Sequence, residues 1–151
     1  MTRDDQAALD RAVRVHVFRR TADTGLVPSP QEIASDLTLP VESVHASLGR
    51  LAEGRVVVLS PSSPAIWMAS PFSAVATDFR VAARGRMYYG NCIWDALGIP
   101  ALLGTDGVVD TACGDCGAPM RVEVRGGAVH GDGMVHFAVP ARQWWVNIGF
   151  T

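Results

Sequence analysis

The stretch GNCIWDALGIPALLG, residues 90–104, sets Cys92 and Asp95 three positions apart at the start of an apolar run. On a helix that spacing puts both side chains on one face. Asn91 reads as an N-cap, so Cys92 falls in the first turn of a helix running to about Leu97. Unpaired backbone N–H groups and the positive end of the helix dipole favour a thiolate there. Cys92 is therefore expected to be the low-pKa thiol, the first to alkylate with iodoacetamide. A carboxyl beside it in a partly apolar pocket would be pushed upward by burial and by the thiolate, and would keep a proton to deliver. The same spacing also fits an inert buried thiol beside a solvated carboxylate.

Two more cysteines, Cys113 and Cys116, form a C-x-x-C pair in ACGDCGAP. Such a pair can be half of a zinc site, a redox couple or a hand-off point for a soft metal ion. A four-ligand zinc site would need Cys92, His130 or His136 as well, because the chain has no second C-x-x-C. His130 and His136 lie in strand-like segments and read as structural histidines.

These residues sit in a chain of 151 residues, enough for one medium domain or two small ones with a real core. Hydrophobic residues make up 48% and charged ones 19%, the balance of a globular protein. A net charge of −2 leaves no basic footprint for nucleic acid. No apolar run approaches the ~20 residues of a membrane span, and the start MTRDDQAALDRAVRV has no signal-peptide core, so the expected compartment is the cytoplasm. In that reducing setting three cysteines are expected to be free.

The first half reads as helical. Leu9, Ala12, Val13 and Val17 recur at helical spacing, with Arg11, Arg14 and Arg19 between them. Ser29, Pro30 and Glu32 form a capping box for a helix to about Asp36 that buries Ile33 and Leu37. Pro40 opens another helix, whose stripe is Val41, Val44, Leu48 and Leu51, and Gly54 ends it. RVVVLS and AIWMAS, separated by PSSP, read as a hairpin. Three helices followed by a hairpin is a winged-helix order, with a helix-turn-helix turning at Thr38 to Pro40. The would-be recognition helix exposes Glu42, Ser43, His45, Ser47 and Arg50, too few cations and base-reading side chains for DNA. Residues 70–92 read as the connection between the halves, crossing into the second as a strand that ends near Tyr89. Strands are expected at Val108–Thr111, at Met120–Val124 and in MVHFAVP, with turns at GDCGAP and RGG. WWVNIGF is expected to be a buried strand-like segment. The expected fold class is α+β: a winged-helix-like domain over residues 1–75, then a small mixed α/β core over residues 76–151.

RGRMYYGNCIWDALGIPALLG followed by TACGDCGAPMRVEV resembles the catalytic core of the alkylmercury (organomercurial) lyases. The matching residues are Gly85, Arg86, Tyr89, Cys92, Asp95, Ala96, Leu97, Pro100, Ala101, Leu102 and Gly104, then Cys113, Gly117 and Pro119. The resemblance covers residues from about 79 to 142 and implies protonolysis of a carbon–mercury bond. A soft thiolate binds the soft metal, a carboxyl delivers a proton to the leaving carbon, and the products are a hydrocarbon and Hg²⁺. Carried over by position, Cys92 is the attacking thiolate and Asp95 the proton shuttle, whereas Cys113 matches a cysteine regarded as structural and Cys116 matches nothing in the pattern. The implied partner is a small organomercurial, with no resident cofactor, external thiols as reductant or acceptor, and hand-off of Hg²⁺ to thiols or a mercuric reductase. DNA and membranes are not expected partners.

The family pattern also has a second catalytic cysteine after the aromatic segment, which would fall just past Thr151. The 151 residues are therefore expected to be a truncated product, through an expression boundary, a frameshift or a UGA codon where selenocysteine belongs. The competing readings are a non-catalytic thiol-based metal-binding or regulatory protein using Cys92, Cys113 and Cys116, and a winged-helix DNA-binding protein.

Overall fold

The computed structural model describes residues 2–149. It is an α+β structure of helices and antiparallel sheets. Helix α1 (Arg3–Thr24) starts at a Thr2–Asp5 capping box and stops at Gly25, whose φ of 82° is the left-handed geometry that closes a helix end. Helix α2 (Pro30–Leu37) has the Ser29–Glu32 capping box expected from its sequence, with Pro30 in the first turn. Helix α3 (Val41–Glu53) follows a turn over residues 38–40. Val13, Val17, Ile33, Val44, Leu48 and Leu51 interlock as the first core, and Leu37 packs against it half-buried instead of inside it.

Strands β1 (Val58–Leu59) and β2 (Ile66–Ala69) form the anticipated hairpin, extended by β3 (Phe72–Ser73) into a three-stranded sheet. Residues 80–89 are not one strand but a second hairpin. In it β4 (Arg80–Ala83) pairs with β5 (Arg86–Tyr89) around Arg84 and Gly85, both with positive φ. A two-residue loop of that geometry matches the twist of the flanking strands. Helix α4 (Ile93–Leu103) leads to β6 (Gly107–Ala112), β7 (Pro119–Arg125) and β8 (Ala128–His130), and the five strands run in the order β5-β4-β6-β7-β8. Their inward residues Val81, Ala83, Tyr88 and Val109 meet Ala96 and Ile99 of α4 in a second core.

Helix α4 outruns its expected end at Leu97, despite Gly98 and Pro100. Pro100 is buried and packs so closely on Gly107 that a Cβ there would lie 2.6 Å from its Cγ. Burial of this face outweighs the helix-breaking cost of a mid-helix proline. Residues 134–140 are also not the expected strand; they pair with no ladder. Pro140 then opens a 3-10 helix (Ala141–Val146), in which Trp145 and Val146 are exposed. The strand-like, buried reading of WWVNIGF fails over its described residues because only Trp144 and Ile148 turn partly inward; Phe150 and Thr151 lie outside the described residues.

The two cores meet at the end of α1. Phe18 and Val27 pack against both of them. Gly25 lies against the Met87 carbonyl where a side chain could not fit, and the buried Tyr88 hydroxyl donates to the Ala22 carbonyl at 2.7 Å. Replacing Tyr88 by Phe removes that donor and leaves a carbonyl unpaired. The expected cost in chemical denaturation is about 0.5–1.5 kcal/mol, with both halves still unfolding in one transition.

Candidate active site

The chain leaves β5 at Tyr89 and enters α4 within three residues, and Gly90 is what permits it. Its N–H donates to the Phe79 carbonyl at 2.9 Å, and a Cβ on Gly90 would lie 2.6 Å from the Ala96 nitrogen. The backbone is thereby pressed against the first turn of α4. Cys92, not Asn91, is the N-cap residue, with extended backbone (φ −145°) and its carbonyl accepting from the Ala96 N–H at 2.9 Å. Its sulfur lies beside the N–H groups of Trp94 and Asp95 without closing a regular side-chain cap.

Asn91 has a different task from the one its sequence position suggests. Its side-chain amide donates to the Asp95 carboxylate at 2.9 Å and reaches the Ser70 hydroxyl at 3.4 Å. Its carbonyl oxygen is buried with no hydrogen-bond partner in the described structure. Asn91 as a carboxylate partner was missed from sequence; the signal was its spacing of four from Asp95, which the N-cap reading absorbed.

The electrostatics partly reverse expectation. Burial pushes the Cys92 thiol up, helped by the nearby Asp95 charge, and outweighs the opposing Asp95 and Trp94 N–H groups. The sequence-based expectation of a low-pKa Cys92 is thus corrected, because desolvating a thiolate costs more than a helix start returns. Burial also pushes the Asp95 carboxyl up, against the lowering effect of the Asn91 amide. Burial shifts both groups of the pair in the same direction, upward.

Cys92 opens on a cleft of about 340 Å³ lined by Phe79, Asn91, Cys92 and Ile93 on one side and by Phe137 and Trp144 on the other. Asp95 is not in its lining; it meets the cleft through Asn91. Trp94 is edge-on to Phe137 at 6.4 Å between ring centres, and Phe137 stacks obliquely on Trp144 at 5.3 Å. The Trp144 indole donates to the Val139 carbonyl at 2.8 Å, holding this aromatic wall together. A larger groove beside the β4–β5 turn is lined by Arg84, Arg86, Asp106, Glu123 and Arg125 and holds no thiol.

Cys113 and Cys116 sit elsewhere, in the turn between β6 and β7. There the Cys113 N–H donates to the Ala118 carbonyl at 2.8 Å, and the Gly117 N–H to the Cys113 carbonyl at 2.9 Å. The Cys113 sulfur accepts from the backbone N–H groups of Cys116 and Asp115 and from the Cys116 thiol, which together hold it below the usual thiol range. Neither thiol lines the Cys92 cleft. His136 does, but His130 and His136 are both exposed, so neither is a structural histidine of the core. All three cysteines are free, and among the described residues no three His, Cys, Asp or Glu side chains cluster to hold a metal ion.

With the geometry described, comparison with known proteins gives the family. The alkylmercury lyase family model matches residues 72–150, just over half of the chain. The chain belongs to the alkylmercury lyase family. Its fold is similar to that in the crystal structure of the mercury-bound form of MerB2, with a TM-score of 0.59 at 18% identity. The similarity covers 81% of this chain and 65% of that one. No curated protein matches the chain significantly by sequence.

The raised Asp95 carboxyl has a thermodynamic consequence. A folded-state pKa above the unfolded one contributes stability that is present below the ordinary carboxylate pKa of about 4 and is lost as pH rises through the folded value. Asp95→Asn cannot ionise, so it should melt higher than the parent at pH 7, and the difference should vanish near pH 4. Alkylation has a matching order: Cys113 should label with iodoacetamide before Cys92 at neutral pH, read by peptide mapping.

Proposed function

We propose that the chain is an alkylmercury lyase, cleaving carbon–mercury bonds by protonolysis to a hydrocarbon and Hg²⁺, with Cys92 and Asp95 as its catalytic residues. The observation that carries the reading is the pairing of a half-buried thiol at the start of α4 with a half-buried carboxyl whose oxygen is held by Asn91. Burial raises both groups, which makes the Asp95 carboxylate a stronger base toward the Cys92 proton than an exposed carboxylate would be.

As the sulfur bonds to mercury in R–Hg–X, the thiol proton goes to the Asp95 carboxylate and X⁻ leaves. The Asp95 carboxyl then gives that proton to the carbon as the carbon–mercury bond breaks, releasing R–H. Hg²⁺ is left on Cys92, from which further thiols remove it. A soft thiolate suits the soft metal, and the apolar wall of Phe79, Phe137 and Trp144 suits the organic group. Asn91 holds the carboxyl oriented through both proton transfers. No cofactor is invoked; mercury is substrate and product. The chemistry belongs to residues 76–151, and residues 1–75 form the winged-helix-like part that braces them. Among the described residues no helix is long and apolar enough to cross a membrane, and the proposed setting is the reducing cytoplasm.

The winged-helix reading as a DNA binder is weakened by α3 itself. Ser47 is buried, and Ser47 and Arg50, both expected to be exposed, hydrogen-bond Asp10 of α1 at 2.6 Å and 2.7–2.9 Å. Arg50 is the only Lys or Arg of that helix.

Turnover of an arylmercury compound with excess thiol tests the proposal, with hydrocarbon release as the readout. Cys92→Ser should abolish release, because a serine hydroxyl is not ionised at pH 7 and is a hard donor for mercury. Asp95→Asn should lose about 10²–10⁴ in rate while still retaining mercury on Cys92. An Asp95→Asn enzyme as fast as the parent would show that the proton comes from elsewhere. Tight Hg²⁺ binding by the parent with no hydrocarbon released would favour the non-catalytic metal-binding reading instead.

A further inference from the structure

The proposed reaction leaves the thiols at the β6–β7 turn without a role, yet their arrangement is specific. Cys113 and Cys116 are held in one tight turn by two backbone hydrogen bonds, and Gly117 takes a φ of 71° to close it. The Cys113 sulfur faces the Cys116 thiol and two backbone N–H groups, and Cys116 is exposed. An inert structural cysteine has no need of a second thiol turned toward it at the surface.

The sheet sets where this turn lies. Arg80 pairs with Tyr89 on one side and with Asp110 on the other, so these three residues form a row across β5, β4 and β6. Strands β5 and β6 both run antiparallel to β4 and leave the sheet at the same end. Cys92 comes three residues after Tyr89 and Cys113 three residues after Asp110. With ~4.8 Å between neighbouring strands, the strands β5 and β6 that lead to these thiols are about 10 Å apart.

We propose that Cys113 and Cys116 form a chelating dithiol for a thiophilic cation of two-coordinate preference, Hg²⁺ in the reaction above, and that it takes this ion from Cys92. Two thiols with no third ligand among the described residues suit such an ion; zinc would require four. The step balances as the Cys92 S–Hg bond broken, two S–Hg bonds formed and two S–H bonds lost, with one proton returned to the Cys92 sulfur and one released to solvent and no change in oxidation state. A second sulfur on the same turn arrives at an effective concentration of mM or more, so the pair should hold the ion against a monothiol far better than one cysteine can.

The origin of the ion rests on the lyase reading; chelation by the dithiol does not. The probe is mercuric chloride at one equivalent per chain, followed by iodoacetamide and peptide mapping. In the parent, Cys113 and Cys116 should be protected and Cys92 should label. In Cys116→Ser the ion should return to Cys92, which becomes protected. In a Cys92→Ser background, one Hg²⁺ should consume both remaining thiols, and removing Cys116 should lower the monothiol concentration that strips the ion by about 10²-fold. Cys113→Ala, with circular dichroism on every variant, separates loss of the chelate from loss of the fold. Protection of Cys92 with labelling of Cys113 and Cys116 in the parent would overturn the proposal, as would uptake of two Hg²⁺ ions by the Cys92→Ser chain. If the parent releases no hydrocarbon but the Cys92→Ser chain still chelates, the lyase reading fails and the dithiol site stands.

Discussion

A missing side chain at residue 90 governs the site. With any Cβ at that position placed 2.6–2.8 Å from the Ala96 nitrogen, Cα and Cβ, α4 could not start where it does. Because it does start there, Cys92 sits at the helix cap, Asn91 turns back along the first turn and Asp95 is tucked behind it. The same crossing seats Tyr88 and Ala96 in one core, so the position of the thiol is fixed by the packing of the sheet. The site thus stands on a strand end and a helix start, elements stiffer than a loop.

At this helix start two electrostatic effects oppose each other. Backbone N–H groups of Trp94 and Asp95 favour the Cys92 thiolate; burial and the Asp95 carboxylate oppose it, and burial is the largest effect. A thiol kept protonated at rest is a poor free nucleophile, but it is also slow to oxidise or alkylate. It becomes reactive only when something replaces its proton. A thiophilic metal does that, provided a base is at hand to receive the proton, and a carboxyl with a raised pKa is suited both to take and to return it. In the proposed reaction, protection and reactivity then depend on the one proton that passes between the two side chains.

Several elements were legible because a local rule agreed with the tertiary structure. The Ser29–Pro30–Glu32 capping box and the Val44, Leu48 and Leu51 stripe set α2 and α3 correctly. The spacing of Cys92 and Asp95, read with the longer pattern around them, located the one cleft that holds a thiol among those described. What failed did so where contacts distant in sequence decide. Gly98 and Pro100 argued for an early end to α4, and only the opposing Gly107 explains why the helix continues. MVHFAVP alternates like a strand, but no neighbouring strand pairs with it. The N-cap rule fitted Asn91 by residue type and missed its alternative partner, a carboxylate four residues on. The dipole argument for Cys92 contained no account of burial, which sequence does not give for a single residue.

The first half of the chain braces this site through a few contacts at the end of α1. Gly25 receives the Met87 backbone, Ala22 receives the Tyr88 hydroxyl, and Phe18 and Val27 belong to both cores. Tyr88 lies two residues before Gly90, so these contacts adjoin the helix start that carries Cys92. The C-terminal segment binds the halves from the opposite direction. The Arg55 guanidinium sits over the Trp145 ring at 5.1 Å, and Gly149 lies against Trp67 so closely that a Cβ would be 2.6 Å from its ring. The segment that carries the aromatic wall is therefore anchored on β2 and on the α3–β1 connection as well as against Trp94 of α4. The cleft between Cys92 and Trp144 is thus lined by the second half alone, while the residues that follow Trp144 rest on the first half through Arg55 and Trp67.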